Sequence, residues 1–234
     1  MTLHLSGYFD NNFGDDYMMK TIIAKLPNTK FIVNENVSKL ILEEDNVEIS
    51  DDITAPVIMI TGSGFMLNSY QSIYSELKRT VKGISPGDYC IGCSIEPFKN
   101  KLSEYLIKLK LNKFRLIICR DKKSYNWLKS SVKKPEIHCT NDILFSIPDE
   151  WIKKPDENSS CLGISVMNLN CEPYVYDYYQ KMAEAADYYI ESTGDEVILL
   201  AFDSGCEDDI SACEKVRRCR YRTDAGRIRH SRYS

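Results

Sequence analysis

The sequence lacks the features of a membrane-spanning or exported protein. No apolar run approaches the ~20 residues that a membrane-spanning helix needs. The opening Met1-Thr2-Leu3-His4 has no basic start of a signal peptide. The nine cysteines are an odd number and lack the spacing of a disulfide framework, which favours a reducing compartment. We therefore expect a cytoplasmic protein.

The sequence is also poor in metal ligands. It contains three histidines, and no second Cys/His pair lies at zinc-ribbon distance from Cys90-Ile91-Gly92-Cys93. This segment is typical of a strand, in which residues three apart point to opposite faces. We predict that both thiols are structural and buried, with metal or redox chemistry of this pair as the alternative. We expect no metal cluster and no cofactor.

Arginine is scarce before residue 215, where it occurs only at 79, 115 and 120. Residues 215–234 then hold eight basic residues and one acid. This abrupt change favours a frameshifted or foreign tail, while a basic arm for nucleic acid or anionic lipid and a divergent natural end stay open. We expect no nucleic-acid partner.

The chain does contain a regular alternation of short apolar strands and helices of 10 to 15 residues. Because this alternation is typical of βαβ units, residues 1–148 are predicted to form a Rossmann-like domain of α/β class with a doubly wound parallel sheet. A proline-rich, charged linker is predicted over 149–160 and a partial second Rossmann-like domain over 161–214, followed by the atypical basic tail over 215–234. The second domain shows two clear strands, and their exposed edge predicts self-association.

Polar loops follow the predicted strands at residues 11–15, 62–64, 95–97, 120–121 and 141–142. Ligands of doubly wound sheets bind outside the carboxyl ends of the strands, so we expect a pocket at this edge. Asp15 and Asp121 also suit a second interpretation, in which each carboxylate caps or flanks the start of a helix.

Short motifs in these loops resemble those of the polysaccharide pyruvyl transferase family. The segment Gly7-Tyr8-Phe9, followed by Asn12-Phe13-Gly14-Asp15-Asp16, is similar to the family's GYxGxxNxGDE opening. The later matches, in chain order, are Thr61–Phe65 to a GGG-type turn, Gly92–Pro97 to GxSIxP, Arg120–Ser124 to RDxxS, Thr140–Asp142 with Phe145 to TxDxxF, and Leu162–Ser165 to the opening of the second half. The resemblance covers the chain to about residue 210.

The resemblance implies a GT-B-like architecture that binds a sugar acceptor and phosphoenolpyruvate, the donor substrate. The family transfers pyruvate onto two sugar hydroxyls as a cyclic ketal, with loss of phosphate, in surface polysaccharide synthesis. The implied acceptor is a saccharide or a lipid-linked saccharide, so peripheral membrane association is open. The oligomeric state is not predicted.

The resemblance also implies which residues form the site. Carboxylates suit the base that accepts hydroxyl protons, and polar or cationic groups suit the binding of sugar hydroxyls and of the anionic donor. The catalytic candidates are Asp15, Asp121 and Asp142. The substrate-binding candidates are Gly7, Asn12, Gly14, Gly62, Ser63, Gly64, Glu96, Arg120 and Ser124.

One family feature has no match in this sequence. The Arg/His motif that binds phosphoenolpyruvate lies between a strand and a helix of the second domain, and Arg229-His230 lacks such apolar flanks. We therefore expect a truncated second domain and doubtful activity. A nucleotide-sugar glycosyltransferase of GT-B architecture and a non-catalytic sugar-binding remnant remain alternatives.

Overall fold

The structure is a computed structural model. It describes residues 1–8, 12–34, 37–50, 54–62, 70–82, 87–98, 100–152, 160–168, 175–203, 208–219 and 228–232. The chain divides into two compact units. The first contains residues 1–9 and 14–149, and the second contains residues 10–13 and 150–234.

The first unit is built on a seven-stranded parallel sheet. Its strands are β1 (Thr2–Ser6), β2 (Lys30–Val33), β3 (Val47–Ile49), β4 (Val57–Ile60), β5 (Tyr89–Cys93), β6 (Leu116–Cys119) and β7 (Glu136–Cys139). Their order is β3-β2-β1-β4-β5-β6-β7, so the direction of winding reverses between β1 and β4. The predicted α/β class with a doubly wound parallel sheet is confirmed and is consistent with a GT-B-like, Rossmann-type fold.

Helices flank this sheet because their apolar residues recur at helical spacing. They are α1 (Phe13–Lys25), α2 (Lys39–Leu42), α3 (Tyr70–Val81), α4 (Lys101–Leu111) and α5 (Lys122–Ser131), with short 3-10 turns at Ile143–Ser146 and Asp149–Trp151. In α4, for example, Leu106, Ile107 and Leu111 form one buried stripe. Strand residues such as Phe31 and Ile60 are fully buried, as expected for a sheet covered on both faces.

Strand β5 departs from the predicted alternation of side chains. Its pairing with β6 shifts between Ile91 and Cys93, where Gly92 adopts a φ of 86° that glycine tolerates and other residues rarely adopt. The irregularity brings Cys93 to the side of Cys90 in the same buried cluster, and the neighbouring Cys93 thiol raises the pKa of Cys90. The prediction of opposite faces is therefore wrong. Both thiols are buried, as predicted.

The second unit has a three-stranded parallel sheet in the order β10-β9-β8. Its elements are β8 (Cys161–Ser165), α6 (Val175–Thr193), β9 (Glu196–Ala201), α7 (Asp209–Arg218) and β10 (Ile228–Arg232). Tyr179, Ala183 and Ala186 of α6 pack with Val197 and Leu199 of β9 in one core.

One feature of this unit differs from the sequence prediction. The expected two-stranded sheet is wrong, since Ile228–Arg232 pairs in parallel along β9 and adds a third strand. Helix α7 continues through Lys215 to Arg218, and Val216 completes its buried stripe. None of the described helices has the length and apolar character needed to cross a membrane.

Candidate functional site

Four of the sequence motifs meet at the carboxyl edge of the seven-stranded sheet. Gly62 follows β4, Ser94 follows β5, Arg120 follows β6 and Asp142 follows β7. These strands are consecutive neighbours in the sheet. The fold thus assembles residues that are up to 80 positions apart in the sequence.

The guanidinium of Arg120 is the centre of this edge. Its Nε donates to Ser94 Oγ at 2.9 Å, and its Nη1 donates to Asp142 Oδ2 at 2.6 Å. The other oxygen of Asp142 accepts the Leu144 backbone N–H at 3.0 Å, which caps the 3-10 turn after β7. The side chains of Arg120 and Asp142 are 32% and 22% exposed, so a solute can reach the pair.

The backbone of Gly62 lies directly beside this pair. A Cβ at position 62 would stand 3.5 Å from Arg120 Nη1 and only 2.6 Å from the terminal methyl carbon of Met18. A side chain here would therefore displace the Met18 side chain of helix α1 and lie in van der Waals contact with the guanidinium.

Asp121 caps a helix, which is the second of the two roles that the sequence indicates for it. Its Oδ1 accepts the Ser124 backbone N–H at 2.8 Å and its Oδ2 accepts the Ser124 hydroxyl at 2.6 Å, which makes Asp121 the N-cap of α5. Burial raises the pKa of Asp121, but the hydrogen bonds from Ser124 and Ser94 outweigh it and hold that pKa below its usual range. Buried Ser124 also accepts the Ile95 N–H at 2.7 Å, so the pair fixes the loop after β5.

The remaining predicted site residues that the structure describes fall at four places. Gly7 follows β1 and, together with Gly62 after β4, flanks the reversal of strand order. Gly14 and Asp15 lie in the first turn of α1, and half-buried Glu96 follows β5. Asn12 belongs to the second unit, where its amide donates to Asp203 Oδ2 at 3.2 Å. Ser63 and Gly64 lie outside the described residues.

Comparison with known proteins assigns the family. The model of the polysaccharide pyruvyl transferase family matches residues 12–223, most of the chain. This chain belongs to the polysaccharide pyruvyl transferase family. The family resemblance seen in the sequence is confirmed, and membership indicates a transferase. No curated protein matches the chain.

In this pyruvyl transferase family member, Asp16 is a buried acid that the site prediction missed. It is fully buried in the first turn of α1, and among the described residues neither of its carboxylate oxygens nor the facing Ser38 hydroxyl has a hydrogen-bond partner. Burial raises the pKa of Asp16 to about 6; the nearby Ser38 opposes the shift and the charge of Asp15 adds to it. Helical spacing could have revealed this burial, because Asp16 shares a face with Met19 and Ile23.

A second cluster of acids lies at the carboxyl edge of the three-stranded sheet. Asp209 Oδ1 accepts the Asn168 N–H at 2.9 Å, and its Oδ2 accepts the Asp203 N–H at 3.0 Å. Tyr179 and Lys215 both donate to the side-chain oxygen of Asn168 at 3.2 Å. Asp209 therefore joins the segment after β8 to the segment after β9.

No metal centre is found in the described part of either edge. Within the described ranges, no three His, Cys, Asp or Glu side chains are placed so that they could hold a metal ion. Arg120 and Asp142 are the solvent-reachable charged pair at the edge where the motifs meet. The arrangement suits the binding of a polar or anionic ligand.

Proposed function

We propose that this chain transfers the pyruvyl group of phosphoenolpyruvate onto two hydroxyls of a saccharide acceptor as a cyclic ketal. The acceptor is a free or lipid-linked saccharide of surface polysaccharide synthesis. Family membership over residues 12–223 supports the transferase class. The single observation that carries the site assignment is the anchoring of Arg120 by Ser94 and Asp142, which joins three of the family-like motifs.

The proposed reaction adds both hydroxyls to the same carbon of the donor. The methylene carbon of phosphoenolpyruvate takes up a proton and becomes a methyl group, leaving an oxocarbenium-like carbon that two sugar oxygens attack in turn. The bond from this carbon to the phosphate oxygen breaks. Two protons leave the sugar hydroxyls. One of them compensates for the proton that the methylene carbon takes up, and the other leaves with the phosphate.

Asp142 and Arg120 have the chemistry for the acceptor side of this reaction. Each oxygen of Asp142 already accepts one N–H, and each retains a second lone pair that can accept a sugar hydroxyl. We assign Asp142 the removal of a hydroxyl proton. We assign Arg120 the placement of that carboxylate and of the neighbouring sugar oxygens.

The test is acceptor-dependent consumption of phosphoenolpyruvate. The purified chain is incubated with phosphoenolpyruvate and a panel of saccharides, and both phosphate release and the pyruvylated sugar are measured. We expect release only with an acceptor. We expect Asp142→Asn to lower the rate by at least about tenfold, as for a lost catalytic base.

Asp149→Asn is the matched control, because Asp149 is an exposed acid seven residues further along the chain. It is expected to keep the full rate. The proposal fails if no acceptor promotes phosphate release, or if the two variants lose activity equally while keeping the circular dichroism spectrum of the unaltered chain.

A further inference from the structure

Three cysteines form a row across neighbouring strands at the carboxyl edge of the first sheet. Cys93 of β5 pairs in register with Cys119 of β6, and Cys119 pairs in register with Cys139 of β7. In-register residues of adjacent parallel strands project from the same face. The proposed pyruvyl transfer uses none of these thiols.

The three thiols differ in their access to solvent. Cys93 and Cys119 are wholly buried, whereas Cys139 is exposed on β7, the last strand of the sheet. Cys119 and Cys139 are in-register partners on neighbouring parallel strands, so their side chains lie next to each other on one face of the sheet. Cys119 Sγ lies 3.3 Å from the His138 carbonyl oxygen, on the strand that carries Cys139. A thiol that solutes can reach therefore lies beside a thiol that they cannot.

We propose that Cys119 and Cys139 form a redox-active dithiol, which reacts with small disulfides and closes to an intramolecular disulfide. The backbone geometry permits this bond. Neighbouring strands lie about 4.8 Å apart, and disulfides join Cα atoms separated by roughly 4.4 to 6.8 Å. The closed disulfide would cross-link the ends of β6 and β7 without a change of register.

The reaction proceeds by two thiol–disulfide exchanges. The Cys139 thiolate attacks one sulfur of the small disulfide, which forms a mixed disulfide and expels one small thiolate. Cys119 then gives up its proton and attacks Cys139 Sγ, which expels the second small thiol. Two protein thiols are oxidised and one small disulfide is reduced to two thiols.

The order of these steps follows from burial. Burial raises the pKa of Cys119 to about 12, with a further contribution from the neighbouring Cys139, so Cys119 is a poor first nucleophile. Once Cys139 carries the mixed disulfide, its sulfur is already beside Cys119, and the second step is intramolecular. Cys90 and Cys93 also lie in one cluster, but both are buried and have no access to the oxidant.

The site lies beside the proposed acceptor site. Cys119 immediately precedes Arg120, and Cys139 is three residues before Asp142. The disulfide would therefore join the two strand ends that carry the Arg120–Asp142 ion pair. The proposed dithiol does not depend on the proposed transfer reaction, because it rests only on the register and the burial of the thiols.

The test is peptide mapping after exposure to glutathione disulfide. The chain is incubated with this oxidant, its free thiols are alkylated, and tryptic peptides are identified by mass spectrometry without reduction. Trypsin places Cys93, Cys119 and Cys139 in separate peptides. We expect the Cys119 peptide cross-linked to the Cys139 peptide as the dominant oxidised product, preceded in time by glutathionylated Cys139.

Two variants sharpen this result. Cys119→Ala is expected to stop the reaction at glutathionylated Cys139, whereas Cys161→Ser, which removes another exposed cysteine, is expected to leave the cross-link unchanged. The proposal is overturned if Cys139 of the unaltered chain remains glutathionylated while Cys119 is alkylated, or if Cys119 pairs with Cys93 instead. The unaltered chain alone decides this outcome, whether or not the Cys119 variant folds.

Discussion

The carboxyl edges of the two sheets both carry charged residues but use them differently. At the seven-stranded sheet, Arg120 and Asp142 bond mainly to other side chains and stay partly exposed. At the three-stranded sheet, Asp209 is buried, and both of its oxygens accept backbone N–H groups. A charged residue at the carboxyl edge of a sheet is therefore not by itself a ligand-binding residue. A carboxylate whose oxygens accept hydrogen bonds from backbone N–H groups stabilises the fold instead.

Removal of Asp209 should cause the largest loss of stability. Asp209→Ala leaves the buried N–H of Asp203 and the part-buried N–H of Asn168 without their acceptor, at about 1–3 kcal/mol each. We expect the second unit to lose about 4 kcal/mol in free energy of unfolding, measured by urea denaturation. The control is Asp177→Ala, which removes an exposed acid from the first turn of α6. Equal losses in both variants would mean that the hydrogen bonds accepted by Asp209 do not stabilise this edge.

Asp16 should make the stability of the first unit depend on pH. Its pKa rises from 3.8 in the unfolded chain to about 6 in the folded one, so the folded state holds the proton more tightly. The resulting stabilisation is present below pH 3.8 and is lost as the pH rises through 6, a change of about 3 kcal/mol.

The measurement compares urea unfolding of the unaltered chain and of Asp16→Asn between pH 4 and pH 7. The variant should be the more stable protein at pH 7 and should approach the unaltered chain at pH 4. Asp45→Asn, which changes an exposed acid, is the control. A pH-independent difference between the Asp16 variant and the unaltered chain would contradict the shifted pKa.

Gly92→Ala should have a smaller effect on the fold but should disturb the first edge. The φ of 86° costs a non-glycine residue about 1 kcal/mol. The new Cβ would also lie 3.1 Å from the Thr61 carbonyl oxygen and 2.9 Å from Ile143 Cδ1. We expect a loss of about 2 kcal/mol in the free energy of unfolding.

Gly194→Ala is the matched control for Gly92→Ala. Gly194 has a φ of 77°, but a Cβ there would meet no atom within 4 Å. It should lose only the roughly 1 kcal/mol of backbone strain. If both variants lost the same amount, the close approach of β4 and the 3-10 turn to Gly92 would have no energetic consequence.

The Arg120–Asp142 pair should contribute least to stability. Since both side chains are partly exposed, a double-mutant cycle of Arg120→Ala and Asp142→Ala should give a coupling below about 1 kcal/mol in the free energy of unfolding. A coupling above about 2 kcal/mol would mean that the pair stabilises the fold, as Asp209 does, and is a structural contact rather than a ligand-binding one.

The sequence predicted the described strands of the first unit and their approximate ends, because each is a short apolar run followed by a polar loop. It also predicted that Arg120 and Asp142 follow strands and lie at the same edge of the sheet, since the carboxyl ends of parallel strands meet at one edge. It failed where local pattern does not decide the structure. The irregularity at Gly92 reversed the expected face of Cys93, and β10 lies in a segment whose composition resembles no strand of this chain.

The structural role of Asp209 could not be predicted from local sequence. Its partner Asn168 is 41 residues away. Both groups that donate to Asp209 are backbone N–H groups, which residues of almost any type possess, so the sequence does not reveal them. Asp121 shows the converse case. Its capping bond to Ser124 spans three residues, so sequence reasoning could state it as an alternative to a catalytic role.

Binding of saccharides by variants at the two ends of β6 tests the central claim most directly. Arg120 lies at the carboxyl end of this strand and exposed Arg115 precedes its amino end, so Arg120→Ala and Arg115→Ala make the same change on opposite edges of the sheet. On a glycan array, we expect the unaltered chain and the Arg115 variant to bind the same saccharides, and the Arg120 variant to lose at least about tenfold in affinity. Saccharide binding that is unaffected by Arg120→Ala, or no saccharide binding by the unaltered chain, would contradict the assignment of this edge as the acceptor site.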